Sequence, residues 1–253
     1  MKINDKVAIV TGSSSGVGAE AAVQLAELGA NVVVNYAHSR AGAEETVSRI
    51  QAIGGEAIAV QADISDQQQC QTLVAAAVEA FGRLDILINN AGSTTFVDHN
   101  QLDELSDDIW QSTLGTNLLG PFYMSRAALP ELIKAGGGEI VMTSSIAGLT
   151  TQGSSIAYCA SKAALNNLTR TLAKVMGQHD VRVNAICPGL IEGKWSIEGR
   201  GEQWQAAKDY TIAHSAIAQV PTPVDIANSL VSVITGSDLM TGQIITIDSG
   251  YTL

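Results

Sequence analysis

The chain has 253 residues, of which 46% are hydrophobic and 15% charged, and its mean hydropathy is +0.17. This length can bury a substantial core, and the low charge fraction fits either a homo-oligomer with covered surfaces or an alanine- and glycine-rich single domain. The net charge is −11 and the 14 lysines and arginines form no basic run, which argues against a nucleic-acid partner because phosphate backbones require concentrated positive charge.

Short β-branched runs alternate with longer segments of helical period along the chain. The pairs are "KVAIVT" with "GAEAAVQLAELGA", "NVVVNY" with "AGAEETVSRIQAIGG", "EAIAVQAD" with "DQQQCQTLVAAAVEAFG", and "LDILINNAG" with a helical region from about 102 to 135. Then "GEIVMTSS" leads into a helix that carries Tyr158, "VRVNAICPG" opens a long loop, and "GQIITIDSG" is the last strand. Strands that are apolar throughout are typical of parallel sheets covered on both faces. The pattern predicts one α/β domain over residues 1–253, a doubly wound parallel sheet flanked by helices, and leaves the strand order open.

The first strand is followed by a glycine-rich turn, "TGSSSGVG", from Thr11 to Gly18. Gly12, Gly16 and Gly18 permit unusual φ angles and let backbone N–H groups approach a diphosphate at a helix N-terminus. No lysine follows the last glycine, so the turn is not a P-loop. Its place in the first βα unit predicts dinucleotide binding, although a tight strand–helix junction can by itself require such glycines.

The end of the second strand indicates which dinucleotide is bound. A cofactor without a 2′-phosphate usually meets an aspartate or glutamate there, but the segment from Asn35 to Arg40 has no carboxylate. A carboxylate would repel a phosphate, whereas Ser39, the local backbone and Arg40 can accept one, so we expect Asn35, Tyr36 and Ser39 to contact the cofactor. The expected cofactor is NADP(H), with NAD(H) as the alternative. In that alternative His38 and Arg40 are ordinary solvated loop residues.

Six motifs occur in order along the chain: "TGSSSGVG", "NNAG", Asn117 in "TNLLG", Ser145 in "TSSIAG", "YCASK" and "PGLI". With these motifs the chain resembles the short-chain dehydrogenases/reductases over essentially its whole length. Its "VVVNYAHS" segment resembles their NADPH-dependent 3-oxoacyl-[acyl-carrier-protein] reductases and related polyketide ketone reductases. The resemblance implies a Rossmann-like fold, hydride transfer between a nicotinamide and a carbonyl or secondary alcohol, and a homotetramer. The apolar tail "GQIITIDSGYTL" fits a subunit contact, or else is only a sheet strand of its own subunit.

The resemblance assigns four residues to catalysis. Tyr158 is the general acid toward the carbonyl oxygen, and Ser145 donates a hydrogen bond to the developing alkoxide. Lys162 lowers the tyrosine pKa and hydrogen-bonds the nicotinamide ribose, while Asn117 holds a water in a proton relay. Residues four apart lie on one helix face, and a cation there favours the phenolate of a tyrosine, whose free pKa is about 10. In the alternative, Tyr158 and Lys162 form an ordinary surface pair.

The same matching assigns the cofactor contacts. They are Gly12, Ser14, Gly16, Val17 and Gly18 at the diphosphate; Asp63 with Ile64 at the adenine; Asn90, Ala91 and Gly92 beside the adenosine ribose; and Pro188, Gly189 and Ile191 beside the nicotinamide, together with Tyr158 and Lys162.

Several of these residues also have a purely structural interpretation. Asn117 can mark a kink before Pro121, either Ser144 or Ser145 can cap the next segment, and Asp63 can cap the following helix. The set as a whole favours function, because a coherent group at the carboxyl ends of the strands is far less frequent by chance than any one member.

The sequence departs from the family pattern at two places. Ser15 stands where many NADP(H) reductases place an arginine, and Glu192 and Gly193 follow "PGLI" where a threonine is usual. The region of about 190–222 is expected to close over the substrate. Its aromatic residues are Trp195, Trp204 and Tyr210. They either shape an apolar pocket or contact a neighbouring subunit.

Cysteines and hydropathy indicate the compartment. Cys70, Cys159 and Cys187 lie far apart and form neither a disulfide framework nor a metal site, so we expect a cytoplasmic protein. Cys159 is interpreted as a helix-packing thiol. The apolar runs are far shorter than the roughly 18 residues that span a bilayer, and the first residues lack a secretory pattern, so no membrane partner is expected.

The expected function is NADP(H)-dependent reduction of a small carbonyl substrate. Within enzymes, an NAD-dependent sugar, polyol or xenobiotic alcohol dehydrogenase is the alternative, and the net charge gives docking of an acidic carrier protein no support. A non-catalytic dinucleotide-binding sensor is the competing class, but such a protein would be expected to lack at least one of the four polar catalytic residues.

Overall fold

A computed structural model describes residues 1–253. The strands are β1 (Val7–Val10), β2 (Asn31–Tyr36), β3 (Ala57–Gln61), β4 (Ile86–Asn89), β5 (Gly138–Thr143), β6 (Val181–Pro188) and β7 (Ile244–Ile247). The helices are α1 (Gly16–Glu27), α2 (Arg40–Ala52), α3 (Gln67–Phe81), α4 (Asp107–Leu114), α5 (Gly120–Lys134), α6 (Ile156–Met176), α7 (Lys194–Arg200), α8 (Trp204–His214) and α9 (Pro223–Thr235).

The seven strands form one sheet in the order β3-β2-β1-β4-β5-β6-β7, and every neighbouring pair is parallel. This confirms the predicted parallel sheet and supplies the order that the hydrophobic pattern left open. The chain leaves β1 for β2 and β3, then returns to β4 on the other side of β1. A crevice opens at such a reversal, outside the carboxyl ends of the strands, and ligands bind there in open α/β sheets.

Helices cover both faces of the sheet, as the uninterrupted apolar strands require. One buried cluster joins Val10 of β1 to Leu25 of α1 and Ile226 of α9. The other joins the neighbouring Ile9 to Met124 of α5. Successive side chains of one strand therefore enter opposite cores, which fixes the sheet between two helical layers. None of the helices combines the length and apolarity that crossing a bilayer demands.

Side-chain caps begin the helices that lead away from the crevice. Asp66 accepts hydrogen bonds from the backbone N–H groups of Gln68 and Gln69 and so caps α3, whereas Asp63 lies outside that helix; the interpretation of Asp63 as the cap is wrong. Ser155 caps α6 by accepting from the N–H of Tyr158. This cap sets the first turn of the helix that carries the tyrosine.

Two regions differ from the sequence prediction. The helical region expected from about 102 to 135 is divided into a short 3₁₀ turn, α4, a π-helical turn (Gly115–Leu119) and α5. The extra residue of the π turn takes the place of the kink expected before Pro121, and π turns are frequent at functional sites. The long loop expected after β6 contains α7 and α8.

Candidate active site

A cavity of about 1230 Å³ opens at the carboxyl ends of the strands. It exceeds the roughly 300–1,000 Å³ of sites for one small ligand, so it has room for a dinucleotide and a substrate. The predicted site residues that line it are Gly12, Ser14, Gly16, Val17, Asn35, Ser39, Asp63, Ile64, Asn90, Ala91, Gly92, Ser145, Tyr158, Lys162, Pro188, Gly189 and Ile191. Three others, Gly18, Tyr36 and Asn117, do not line it.

Tyr158 and Lys162 lie one turn apart near the start of α6, and both are buried rather than forming a surface pair. The Lys162 Nζ lies 5.6 Å from the centre of the Tyr158 ring and donates a hydrogen bond to the carbonyl oxygen of Thr143, at the end of β5. Helix α6 therefore delivers the phenol and the ammonium to the same part of the crevice.

Two adjacent serines follow β5 and have different partners. Ser145 accepts a hydrogen bond from the N–H of Ala147, which caps a short 3₁₀ turn, and its hydroxyl also interacts with the Tyr158 phenol. Ser144 is buried and donates to the carbonyl oxygen of Lys162. Ser145 is therefore the serine whose side chain reaches the phenol, and Ser144 holds β5 to α6.

Burial dominates the electrostatics of this pair. It raises the pKa of Tyr158 to about 12, against an interaction with the Ser145 hydroxyl that lowers it. It lowers the pKa of Lys162 to about 8. Desolvation disfavours the charged form of each group, so the expected lowering of the phenol pKa by Lys162 is wrong for this structure. The phenol instead keeps its proton at ordinary pH, which is the form that a general acid needs.

Asn117 lies in the π turn and is fully buried. Its side chain accepts from the N–H of Ser93 and donates to the Ser93 carbonyl oxygen and the Ser161 hydroxyl. A Cβ placed on Gly92 would lie 3.4 Å from its Oδ1 and 3.7 Å from the Lys162 Nζ. The amide thus ties the segment after β4 to α6, close to the lysine.

The glycine turn fits a dinucleotide. Gly12 and Gly16 have φ angles of +62° and +56°, and a Cβ on Gly16 would meet no atom within 4 Å, so its backbone is open to the cavity. A Cβ on Gly18 would lie 2.5 Å from the Asn90 Nδ2. Gly18 therefore serves the close approach of α1 to the segment after β4, whereas Gly12 and Gly16 line the cavity. The buried Ser93 Oγ, also on the cavity wall, has no hydrogen-bond partner.

Different residues at the end of β2 support the glycine turn and line the cavity. The Asn35 side chain is buried, accepts from the N–H of Gly12 and donates to the Ala62 carbonyl oxygen, so it holds the glycine turn in place. Tyr36 packs into the core. Ser39 lines the cavity, and Arg40 points into solvent, where its Nε donates to Glu44 over 2.8 Å.

The adenine end of the predicted site carries a free carboxylate oxygen. The Oδ1 of Asp63 accepts from the N–H and the hydroxyl of Ser65, while its other oxygen has no hydrogen-bond partner. Asp63 and Ile64 line the cavity together.

Aromatic side chains form the wall beside the phenol. The Trp195 ring centre lies 6.0 Å from that of Tyr158 and 6.2 Å from that of Phe96. Trp195 and Tyr210 line the cavity, whereas Trp204 does not. The predicted segment over the substrate thus contributes two of its three aromatics to the pocket within this chain. Glu192, at the position where the family usually has threonine, accepts a hydrogen bond from Lys208 of α8 instead.

The sequence prediction gave no role to Phe96, Arg200 and Tyr251, which are among the other residues that line the cavity. They come from the segment after β4, the last residue of α7 and the end of the chain. No local pattern marks them, since their proximity results from the fold.

Comparisons with known proteins agree with this architecture. The family model described as short chain dehydrogenase matches residues 6–203. The chain is 37% identical to a granaticin polyketide synthase putative ketoacyl reductase 2 from Streptomyces violaceoruber, over 96% of this chain and 95% of that protein. It is 35% identical to an L-rhamnose 1-dehydrogenase (NAD(P)(+)) from a Sphingomonas species, over 98% of this chain and 96% of the relative.

A solved structure shares the fold with a ligand bound. A 7α-hydroxysteroid dehydrogenase in complex with NADH and 7-oxo glycochenodeoxycholic acid superposes with a TM-score of 0.87 at 30% identity, covering 98% of this chain and 95% of that chain. The match of the family model, the full-length relatives and the arrangement of Ser145, Tyr158 and Lys162 lead to one conclusion. The chain belongs to the short-chain dehydrogenase/reductase family of oxidoreductases.

Proposed function

We propose that this oxidoreductase is an NADP(H)-dependent ketoreductase that acts on a small-molecule carbonyl compound, in the manner of the 3-oxoacyl reductases. The observation that carries the proposal is the meeting of Ser145, Tyr158 and Lys162 at one end of a cavity whose other end is a glycine turn. The relative named as a ketoacyl reductase supports reduction of a ketone.

The cofactor and the side chains of the protein contribute different parts of the reaction. Reduced nicotinamide, when bound, supplies the hydride that the carbonyl carbon accepts. Tyr158, protonated because its pKa is raised to about 12, donates its proton to the carbonyl oxygen. Ser145 holds that oxygen by a hydrogen bond that strengthens as negative charge develops. Lys162 would hydrogen-bond the nicotinamide ribose, and Asn117, whose amide lies close to Gly92 and Lys162, would hold a water in a proton relay from Lys162 to solvent.

Different parts of the cavity lining would contact different parts of the cofactor. Gly12 and Gly16 with Ser14 and Val17 would hold the diphosphate, and Gly18 would keep α1 close. Asp63 and Ile64 would meet the adenine. Residues 90–92 would lie beside the adenosine ribose, and 188–191 beside the nicotinamide.

The preference for NADP(H) is supported by the start of α2. Ser39 precedes this helix, and its hydroxyl makes no cap hydrogen bond. The first turn carries no acidic residue, and a helix N-terminus attracts anions. A 2′-phosphate would therefore meet a free hydroxyl and free N–H groups there. Arg40 is engaged by Glu44, so the proposal does not depend on it.

A second candidate function is a sugar dehydrogenase that uses NAD. It is favoured by the relative named L-rhamnose 1-dehydrogenase (NAD(P)(+)), whose identity to this chain is close to that of the ketoacyl reductase. The wall formed by Trp195 and Phe96 favours a substrate with an apolar part over a bare polyol.

The proposal includes a cytoplasmic homotetramer in which residues 1–253 form one dinucleotide-binding unit. Three free cysteines support a reducing compartment. Exposed apolar side chains on α5 and α6, Ile133 and Val175, support contact between subunits, as does the exposed Leu253 beyond the edge strand β7.

A paired titration tests this function. NADPH and NADH are titrated into the purified protein, and their oxidation is followed with a panel of ketones and sugars. We expect tighter binding of NADPH and turnover of ketones. Tenfold tighter binding of NADH would contradict the cofactor assignment, and binding without turnover of any substrate would favour a sensor.

A further inference from the structure

Arg200, the last residue of α7, lines the substrate side of the cavity, partly buried and without an anionic partner. No carboxylate lies within 4 Å of its guanidinium, and it donates no hydrogen bond. Burial lowers the pKa of this guanidinium, with only the Tyr251 hydroxyl acting against that change. A partly desolvated charge without a partner is costly, and proteins ordinarily pair such groups.

The other arginines of the chain show how this one differs. Four form ion pairs: Arg40, Arg49, Arg83 and Arg182. Arg126 lies over the rings of Phe122 and Tyr123, and Arg170 is exposed. Arg200 alone is withdrawn from solvent with neither a carboxylate nor an aromatic face to balance its charge.

Aromatic residues separate Arg200 from the phenol. Trp195 stands beside Tyr158 and packs on Phe96. The next contact along this wall is Gly199, whose Cβ, if present, would lie 2.1 Å from a Phe96 ring carbon. Gly199 adjoins Arg200 in the chain. The apolar wall therefore extends from the phenol to the residue that precedes Arg200, and a ligand held between the two polar groups would lie against it.

Polar neighbours complete the pocket around the guanidinium. Tyr251 donates a hydrogen bond to Gln152 over 2.9 Å, and both line the same cavity as Arg200. The charged side chains of the whole lining are Asp63, Asp98, Lys162, Lys194 and Arg200. Three cations against two anions give the cavity a net charge of +1 in a protein of net charge −11, which favours an anionic ligand.

We propose that Arg200 binds an oxyanion of the substrate, a carboxylate or a phosphate monoester, held apart from the reacting carbonyl by an apolar segment. The planar fork of a guanidinium donates two parallel hydrogen bonds to either group. The substrate is then an oxo acid, or a ketone on a phosphorylated arm, and the product is the corresponding hydroxy compound. This assignment deepens the proposed reductase function and rests on it.

The test compares ketones that differ only in the remote charge. Methyl ketones with a terminal carboxylate (4-oxopentanoate, 6-oxoheptanoate and 8-oxononanoate) are assayed with NADPH against their methyl esters. Acetoacetyl-pantetheine with and without its 4′-phosphate forms the phosphate arm. In one arm of the test we expect the anionic ketone to have a higher kcat/KM than its neutral partner. Arg200→Met should lower this ratio of anionic to neutral kcat/KM by about tenfold to 100-fold. Arg200→Lys should recover part of the ratio, and the arm that responds identifies the oxyanion.

Arg170→Met is the matched control, since Arg170 is an exposed arginine away from the cavity, and it should leave the ratio unchanged. Equal rates for acids and esters in both arms would overturn the assignment. So would an Arg200→Met variant that loses the same factor on charged and neutral ketones, which is the result expected of a structural role. A tenfold weaker NADPH affinity in Arg200→Met would show that the guanidinium binds the dinucleotide instead.

A binding measurement keeps the two proposals separate. If no ketone is reduced, the reductase function fails, and calorimetry with octanoate against methyl octanoate still decides the role of Arg200. Tighter binding of octanoate, lost in Arg200→Met, supports the oxyanion site. Equal binding of acid and ester overturns it.

Discussion

Ser39→Asp should weaken the binding of NADPH and leave the binding of NADH intact or improved. The substitution places a carboxylate at the N-cap of α2, on the cavity wall, where the proposal places the 2′-phosphate. Folding should not suffer, because aspartate is a favoured N-cap residue and the present serine makes no cap hydrogen bond.

The size of the effect follows from charge and exposure. Ser39 is exposed, so the dielectric is close to that of water, in which two unit charges about 4 Å apart repel by about 1 kcal/mol. A phosphate monoester carries a charge of about −1.5 to −2 at neutral pH, so the repulsion is about 2 kcal/mol. That free energy corresponds to about a 30-fold loss of affinity for NADPH. For NADH the new carboxylate can accept a hydrogen bond from the ribose 2′-hydroxyl.

Fluorescence titration of both dinucleotides into wild type, Ser39→Asp and Ser39→Asn gives the required ratios. The asparagine variant controls for shape without charge and should change the NADPH/NADH ratio by only a few-fold. Repeating the titrations at high salt should reduce the effect of the aspartate, since exposed charges are screened. An unchanged ratio in Ser39→Asp would refute the placement of the 2′-phosphate at the start of α2.

Three further outcomes follow from the structure. Ser145→Ala should lower kcat by about 10²–10³-fold. Ser144→Ala loses a buried hydrogen bond to the Lys162 carbonyl oxygen and should chiefly lower the free energy of unfolding, by about 1–3 kcal/mol. A larger rate loss in Ser144→Ala than in Ser145→Ala would reverse the assignment of Ser145 as the catalytic serine. The free-enzyme kcat/KM for reduction should fall as pH rises through about 8, because burial lowers the Lys162 pKa to that value and the ammonium proposed to hydrogen-bond the nicotinamide ribose is lost there. A pH-rate profile flat to pH 10 would count against this role of the charged Lys162. Arg182→Met should reduce the free energy of unfolding in urea by about 3–5 kcal/mol at pH 9, since it strands the fully buried Glu139 carboxylate 2.7 Å away, and by less at pH 7, because burial raises the Glu139 pKa to about 8 and favours the neutral acid there; Glu139→Gln in the same chain should restore part of the loss.

The sheet could be predicted from sequence because its strands are uniform apolar runs. Val32 to Val34 are wholly buried, and the run that contains them was sufficient to identify β2. The division between α4 and α5 could not be predicted, because a π turn at Asn117 leaves the apolar periodicity of both helices in place. The cap of α3 was ambiguous for a similar reason, since Asp63 and Asp66 are both reasonable N-cap residues and only backbone geometry distinguishes them.

The motifs placed most of the predicted site residues correctly on the cavity wall but did not predict the electrostatics of the site. Spacing placed Tyr158 beside Lys162 and suggested that the cation acidifies the phenol. Burial, which the sequence does not reveal, shifts the two pKa values the other way. Arg200 and Tyr251 were missed because they are 51 residues apart in numbering and reach the same cavity only through the fold. Sequence identified the groups proposed to react, and the three-dimensional structure was needed for the residues proposed to select the substrate.

The central claim is that the Tyr158 phenol gives its proton to the carbonyl oxygen as the carbon receives hydride. Single-turnover oxidation of prebound NADPH by Tyr158→Phe, with the best ketone of the panel, tests it most directly, because the phenyl ring keeps the packing against Trp195 and removes only the hydroxyl. We predict a rate at least about 10²-fold below that of wild type, with NADPH affinity changed by only a few-fold. A near-normal rate in this variant would show that another group supplies the proton.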